Sequence, residues 1–141
     1  MKVKDIMSTQ PVCISMDETM WAVKRVFDKN SFHHVLVLDQ GELRGVISDR
    51  DYLKTVSPHV KSGAITSRDL ETMNKKVHQI MSRNVVAIQA SESVMRSVML
   101  FNQNKISCLP VLDKNKVVGI LSWRDVMRFL EERVLNKQKT D

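Results

Sequence analysis

The sequence constrains its own fold most strongly by repeating itself. Displaced by 74 positions, Val3 falls on Val77, Ile6-Met7-Ser8 on Ile80-Met81-Ser82, Val12 on Val86 and Ile14 on Ile88. The same register, without a gap, carries Glu18 onto Glu92, Phe27 onto Phe101 and Asn30 onto Asn104. It then brings Val37-Leu38-Asp39 onto Val111-Leu112-Asp113, Gly45 onto Gly119, and Ser48, Arg50 and Asp51 onto Ser122, Arg124 and Asp125. A single offset held over about fifty residues marks a duplicated unit. At 141 residues the chain has room for one ordinary domain or two very small ones. A unit of roughly 55 residues seldom buries enough surface to be stable alone. The duplication therefore predicts two related halves packed as one pseudo-twofold α+β (mixed α/β) domain.

Each copy reads β-α-β-β-α. A short lead, Val3–Ser8 in the first copy, precedes an extended segment, Val12-Cys13-Ile14 or Val86-Ala87-Ile88. Ser15-x-x-Glu18 has the form of a capping box opening the next helix, and Ser91 is the corresponding cap in the second copy. Met20, Val23 and Phe27, and Val94, Val98 and Phe101, recur at helical spacing, while Asn30 and Asn104 suit a helix end. The apolar run Val35–Leu38 predicts a strand covered on both faces. Asp39-Gln40-Gly41-Glu42 turns it into the strand Leu43–Ile47, and a last helix begins near Ser48. The expected division is a first repeat over 1–56, a connector over 57–76, a second repeat over 77–135 and a frayed tail over 136–141. Within the connector, Ser57-Pro58 and Ser62-Gly63 mark helix end and loop, and Thr66-x-x-Asp69 caps a short helix over Leu70–Asn74. The final helix is expected from Trp123 to about Leu135.

Composition narrows the function classes. The net charge of +6 is uneven, +1 up to residue 70 and +5 beyond it. A basic second half fits an anionic partner, but no basic run is interleaved with aromatic residues, so nucleic-acid binding stays the alternative reading. Two cysteines, Cys13 and Cys108, cannot build a disulfide framework and read as free thiols. The polar start and the lack of a long apolar window predict a soluble, cytoplasmic chain with no membrane partner. His33 and His34 are adjacent and point to opposite faces of a strand, while His59 and His78 stand apart, so no metal site is expected. No Ser-His-Asp order or Walker loop points to an enzyme. Trp21, Met95 and Met99 lie on helix faces that the core does not require, which predicts association into a dimer.

The best-matched segments are Gly45-Val46-Ile47-Ser48-Asp49-Arg50-Asp51 and Gly119-Ile120-Leu121-Ser122-Trp123-Arg124-Asp125. Each ends a strand and places a hydroxyl, a guanidinium and a carboxylate on the first turn of a helix. Free N–H groups and partial positive charge suit that position to phosphate, and a carboxylate there can accept ribose hydroxyls. The same Ser-x-x-Asp spacing also describes a capping box, with the carboxylate folded back on its own main chain. Both readings stand at this level.

The duplication, the Ile-Met-Ser lead, the Val-Leu-Asp strand end and the two Gly-h-h-Ser-x-Arg-Asp segments (h apolar) resemble a tandem pair of cystathionine-β-synthase (CBS) domains, a stand-alone Bateman module. The resemblance implies a non-catalytic sensor of adenosyl ligands: AMP, ADP, ATP, S-adenosylmethionine or NAD. The nucleotide would be a regulatory ligand, with no cofactor required, and its effect would pass to a homodimer or to a regulated protein partner. It implies two ligand clefts shared between the repeats. One would set Ser122, Arg124, Asp125 and Ile120 against Val12, Phe32, His33 and His34. The other would set Ser48, Arg50, Asp51 and Val46 against Val86, Ile106, Ser107 and Cys108. Asp49 adds a negative charge to the first copy where the second has Trp123, which favours the second site for phosphorylated ligands.

Overall fold

The structure, a computed structural model, describes residues 1–30, 33–56 and 66–140. The sequence expectations for Ser57-Pro58 and Ser62-Gly63 lie outside the described residues. After a 3₁₀ turn, Val3–Asp5, the elements are β1 Cys13–Ser15, α1 Met20–Lys29, β2 His34–Asp39, β3 Glu42–Ser48 and α2 Asp49–Thr55. There follow α3 Ser67–Met73, α4 Val77–Ile80, β4 Ile88–Gln89, α5 Val94–Asn104, β5 Cys108–Asp113, β6 Lys116–Ser122 and α6 Trp123–Thr140. The β-α-β-β-α order is present twice.

The chain forms two compact units: one holds Val12–Val85, the other joins Met1–Pro11 to the chain from Val86 onward. In the Val12–Val85 unit, β1 runs parallel to β2, with Ile14 beside Val37, and β2 runs antiparallel to β3, with Val35 beside Ile47. The β2–β3 turn places both Gln40 (φ 52°) and Gly41 (φ 80°) in the left-handed region, the conformation a tight hairpin requires. The core comprises Ile14, Met20, Val23, Val35, Val37, Ile47, Tyr52, Met73, Val77 and Met81. In the other unit β4 pairs parallel with β5, and β5 antiparallel with β6. Val3, Ile88, Val94, Phe101, Leu109, Val111, Leu121, Val126 and Phe129 form its core. Val35, Leu36 and Val37 are all within 1% of complete burial, as their unbroken apolar run predicts for a strand covered on both faces.

The units do not follow the repeats. Each lead packs on the other copy's strands. Val3 N–H donates to Glu92 O (2.9 Å) and Lys4 N–H to Ala90 O (3.0 Å). At the equivalent positions Val77 N–H donates to Glu18 O (2.8 Å) and His78 N–H to Met16 O (3.2 Å). Ser8 and Ile120 exchange two bonds, of 3.0 and 2.9 Å, and so do Ser82 and Val46. Gly119 and Gly45 permit this approach. A Cβ on Gly119 would lie 2.5 Å from Ser8 O, and one on Gly45 2.7 Å from Ser82 O.

Three local expectations are corrected. Ser15 ends β1 and does not open a helix. Its hydroxyl accepts from Asp17 N–H within a turn (3.4 Å), and α1 starts after Thr19, whose backbone pairs with Lys76. In the second copy the cap is Ser93, accepting from Arg96 N–H at 3.1 Å, and not Ser91. The last helix runs past Leu135 to Thr140 because Lys137, Gln138 and Lys139 are good helix formers and no Gly or Pro interrupts the segment. Asn30 and Asn104 do end their helices, each side-chain amide donating to the carbonyl four residues back, Val26 O (2.9 Å) and Leu100 O (3.0 Å). The connector helix is Ser67–Met73, with Thr66 and Asp69 forming the expected reciprocal cap.

Candidate functional site

Strand register gathers the first copy's chemistry at one end of its sheet. His34 lies opposite Ser48, Leu36 opposite Val46, and Leu36 N–H donates to Val12 O at 3.2 Å. The chain leaves β3 at Ser48 and turns at once into α2. Asp49 N–H therefore reaches His33 O (2.9 Å), and the His33 Nδ1 and Asp49 Oδ2 atoms sit 2.9 Å apart. Arg50 is exposed, and Val12, Val46, Ser48 and Asp51 are half-buried. In the other unit Cys108 lies opposite Ser122, Ile120 opposite Pro110, and Trp123 N–H donates to Ser107 O (3.1 Å). Val86 and Ile106 pack half-buried on that unit's core, and the exposed Arg124 guanidinium lies 5.9 Å from the centre of the Trp123 ring. Phe32 lies outside the described residues. The structure thus collects Val12, His33, His34, Val46, Ser48, Arg50 and Asp51 in one unit. In the other it collects Val86, Ile106, Ser107, Cys108, Ile120, Ser122, Arg124 and Asp125.

Both aspartates fold back on their own helix. Asp51 N–H donates to Ser48 Oγ (3.0 Å), and Asp51 Oδ2 accepts from Ser48 N–H (3.1 Å). In the second copy Asp125 N–H donates to Ser122 Oγ (3.2 Å), while Asp125 Oδ2 accepts from Ser122 N–H (2.9 Å) and Oγ–H (3.1 Å). These are reciprocal caps. Each leaves one carboxylate oxygen outside the cap. Asp125 Oδ1 stands 3.7 Å from Arg128 Nη1, in a side chain 11% exposed. Asp51 Oδ1 has no hydrogen-bond partner among the described residues, in a side chain that is half-buried. Each carboxylate thus keeps a single oxygen outside its cap, not the full fork.

The electrostatics separate the copies. His33 holds the Asp49 carboxyl below its ordinary range, chiefly through their hydrogen bond. Burial pushes the His34 imidazole below its ordinary 6.5, against the attraction of Asp49 and Asp51 and with the repulsion of His33. Unfolded His34 takes a proton near pH 6.5 and folded His34 only at lower pH, so stability falls as the solution is acidified through that window. The Asp49 contribution is complete above the ordinary carboxylate range and is lost as pH falls below it. The melting temperature should drop between pH 7 and 5, and His34→Gln should flatten the upper part of that decline. Thermal melts across the range check this, and an unchanged slope removes His34 as the cause. Burial also raises the Cys13 thiol and pushes Cys108 up to about 11, so both thiols, neither in a disulfide, stay protonated near neutral pH.

The His33–Asp49 pair escaped the sequence reading, which weighed the histidines only as cleft or metal groups. Its signal was the acidic residue at the first helical position of one copy alone. Among the described residues no cluster of three or more His, Cys, Asp or Glu could hold a metal ion. No described helix is long and apolar enough to cross a membrane. Met95 and Met99 are exposed, whereas Trp21 packs half-buried against its unit's core and is not a free contact face.

Two β-α-β-β-α units, each closing on a Ser-x-Arg-Asp helix start, define a tandem small-domain module. The chain belongs to the CBS domain family, whose model matches residues 3–58 and 77–132. It is 33% identical over 132 residues to a CBS domain-containing protein of Dictyostelium discoideum, covering 91% of this chain and 90% of that protein. Among solved structures it is similar to the CBS domain pair of protein MJ0100 in complex with 5′-methylthioadenosine and S-adenosylmethionine. That likeness has a TM-score of 0.73 and 25% identity over 94% of this chain and 98% of that one. CBSX2 in complex with AMP shares the fold, with a TM-score of 0.77 and 21% identity over 93% of this chain and 96% of that one.

Proposed function

We propose that the chain is a regulatory module that senses an adenosyl ligand and carries no catalysis of its own. The supporting observation is the Gly-h-h-Ser-x-Arg-Asp element, built twice with the same strand-to-helix geometry. In each copy one carboxylate oxygen fixes the helix start and the other is left for a sugar hydroxyl. The complex of the MJ0100 pair with S-adenosylmethionine and 5′-methylthioadenosine supports the ligand class. AMP, ADP, ATP and NAD share the adenosine that class requires. Ser48, Arg50, Asp51 and Val46 serve one site and Ser122, Arg124, Asp125 and Ile120 the other. Val12, His33, His34, Val86, Ile106, Ser107 and Cys108 provide the surrounding wall. In this reading the module works in the cytoplasm and passes the ligand's effect to a protein partner in proportion to its differential affinity for two conformations.

The two sites should not be equivalent. Asp49 opposes phosphate at the first, and Trp123 replaces that charge at the second. The test is a thermal-shift panel of S-adenosylmethionine, 5′-methylthioadenosine, AMP, ATP and NAD. At a hundredfold excess over the dissociation constant a ligand adds about 2.7 kcal/mol of stability. Asp51→Asn and Asp125→Asn keep an oxygen for the cap and remove the charged acceptor, at an expected cost of roughly tenfold or more in affinity. Asp125→Asn should weaken ATP more than Asp51→Asn does. A flat panel overturns the sensor reading, and equal losses remove the asymmetry.

A further inference from the structure

The two copies agree at Ser48 and Ser122 and at Asp51 and Asp125, and they disagree at three positions around them. His33 stands where the second copy has Ser107, His34 where it has Cys108, and Asp49 where it has Trp123. The first copy thus brings His33, His34, Asp49 and Asp51 to the place where β2 begins and β3 passes into α2. His34 lies opposite Ser48 across the β2–β3 ladder, and the His33 Nδ1 and Asp49 Oδ2 atoms are 2.9 Å apart. Cys108 holds the same place opposite Ser122. Its thiol, pushed up to about 11 by burial, stays uncharged in the range where an imidazole takes up a proton.

The groups that face His34 come from three elements. Asp49 and Asp51 on α2 favour its protonation, and His33 on its own strand opposes it. Ser48 on β3 does not titrate, and on β1 the Cys13 thiol lies level with Leu36, two residues further along the strand. Half-burial outweighs the two carboxylates and keeps the ring neutral to a pH below its ordinary 6.5. An anion delivered beside Ser48 would shift that balance towards the imidazolium.

We propose that His34 makes the first copy's hold on an anionic adenosyl ligand proton-dependent, tightening it as the solution is acidified, while the second copy is indifferent to pH. The inference rests on the sensor reading above and adds a regulating proton to one of its two sites. Protonation puts a cation across the ladder from Ser48, the hydroxyl assigned to phosphate, and offsets the Asp49 carboxylate that opposes phosphate there. By linkage, proton and anion each strengthen the other's binding by the same factor. For charges this near in a partly screened setting, that factor is roughly ten. An uncharged ligand gains nothing comparable, so acid shifts the first site's preference towards phosphate.

Isothermal titration at about pH 7.5 and 5.5 tests this, with NAD, whose diphosphate keeps its charge across that range, and with uncharged 5′-methylthioadenosine. The Asp125→Asn variant reads the first site and Asp51→Asn the second. At the first site NAD should bind roughly tenfold more tightly at the lower pH, with proton uptake seen as unequal heats in two buffers of different ionisation enthalpy. There 5′-methylthioadenosine should change by less than about twofold, and at the second site neither ligand should respond. His34→Cys, which copies the second site's residue, should abolish the NAD response at the first. An NAD affinity that ignores pH, a response that survives His34→Cys, or an equal response by 5′-methylthioadenosine overturns the proposal and leaves the sensor reading standing. So does a first site that takes 5′-methylthioadenosine but no NAD even in acid. If neither ligand binds at either pH, the sensor reading falls and this inference with it.

Discussion

Val3→Asp should unfold the half of the chain that is remote from it in sequence. Val3 is fully buried, and its neighbours are Ile88, Val94, Phe101, Leu109, Val111, Leu121, Val126 and Phe129, all more than eighty residues away. Its backbone is tied to Glu92 and to Ile6 within the same unit. A carboxylate there meets no partner and leaves water for an apolar interior, at a cost of several kcal/mol, about 4 or more. Against the 5–15 kcal/mol typical of a whole domain, that is decisive. Val77 is as completely buried, but among Ile14, Met20, Val35, Ile47 and Met73. Hydrogen–deuterium exchange should therefore show a crossed pattern. Val3→Asp should strip protection first from the strands over 88–122, and Val77→Asp first from those over 13–48. An uncrossed result, with each substitution loosening the repeat it precedes in sequence, would refute the exchange of leads.

That exchange explains what could be read in advance and what could not. The repeat, the element order and the buried central strands were legible because apolar spacing and a fixed register are local properties. Val35-Leu36-Val37 announces a doubly covered strand wherever it is placed. The host of each lead was not legible. Val3 and Val77 are the same residue in the same motif, and either lead would fit either set of strands; only the path of the chain decides. The helix starts were misplaced by a few residues for a related reason. Ser15-x-x-Glu18 has the letters of a capping box, but the lead that follows the connector pairs with Thr19 and holds the segment before it in a turn. At the candidate site both readings of Ser-x-x-Asp were present in the sequence, cap and sugar acceptor. The geometry gives the cap one oxygen of each carboxylate and leaves the other, a division that no spacing rule contains. The His33–Asp49 contact was hidden because it needs the start of β2 beside the start of α2, which follows from the hairpin register and not from either segment alone.

Gly119→Ala and Gly45→Ala should each lower the melting temperature by roughly 10 °C, the equivalent of about 2–4 kcal/mol in a domain of this size. The glycines stand in mid-strand, where alanine has no conformational difficulty, so the cost comes wholly from crowding. A methyl on Gly119 would sit 2.5 Å from Ser8 O and 2.7 Å from Met7 Sδ, and one on Gly45 2.6 Å from Met81 Sδ and 2.7 Å from Ser82 O. The thioethers can swing aside. The carbonyls cannot, because the lead is stitched to the strand on each side of the contact: Ser8 O accepts from Ile120 N–H (2.9 Å) and Ser82 O from Val46 N–H (3.0 Å). Relieving the clash means lifting the lead and breaking that pair of bonds, each worth about 1 kcal/mol, and then loosening the buried valine at the lead's other end. Lead and strand should therefore fail together. Deleting residues 1–8 from the Gly119→Ala variant should cost less than deleting them from the wild type, because part of the lead's contribution has already gone. Additive losses in denaturant melts would show that the glycine serves some other contact.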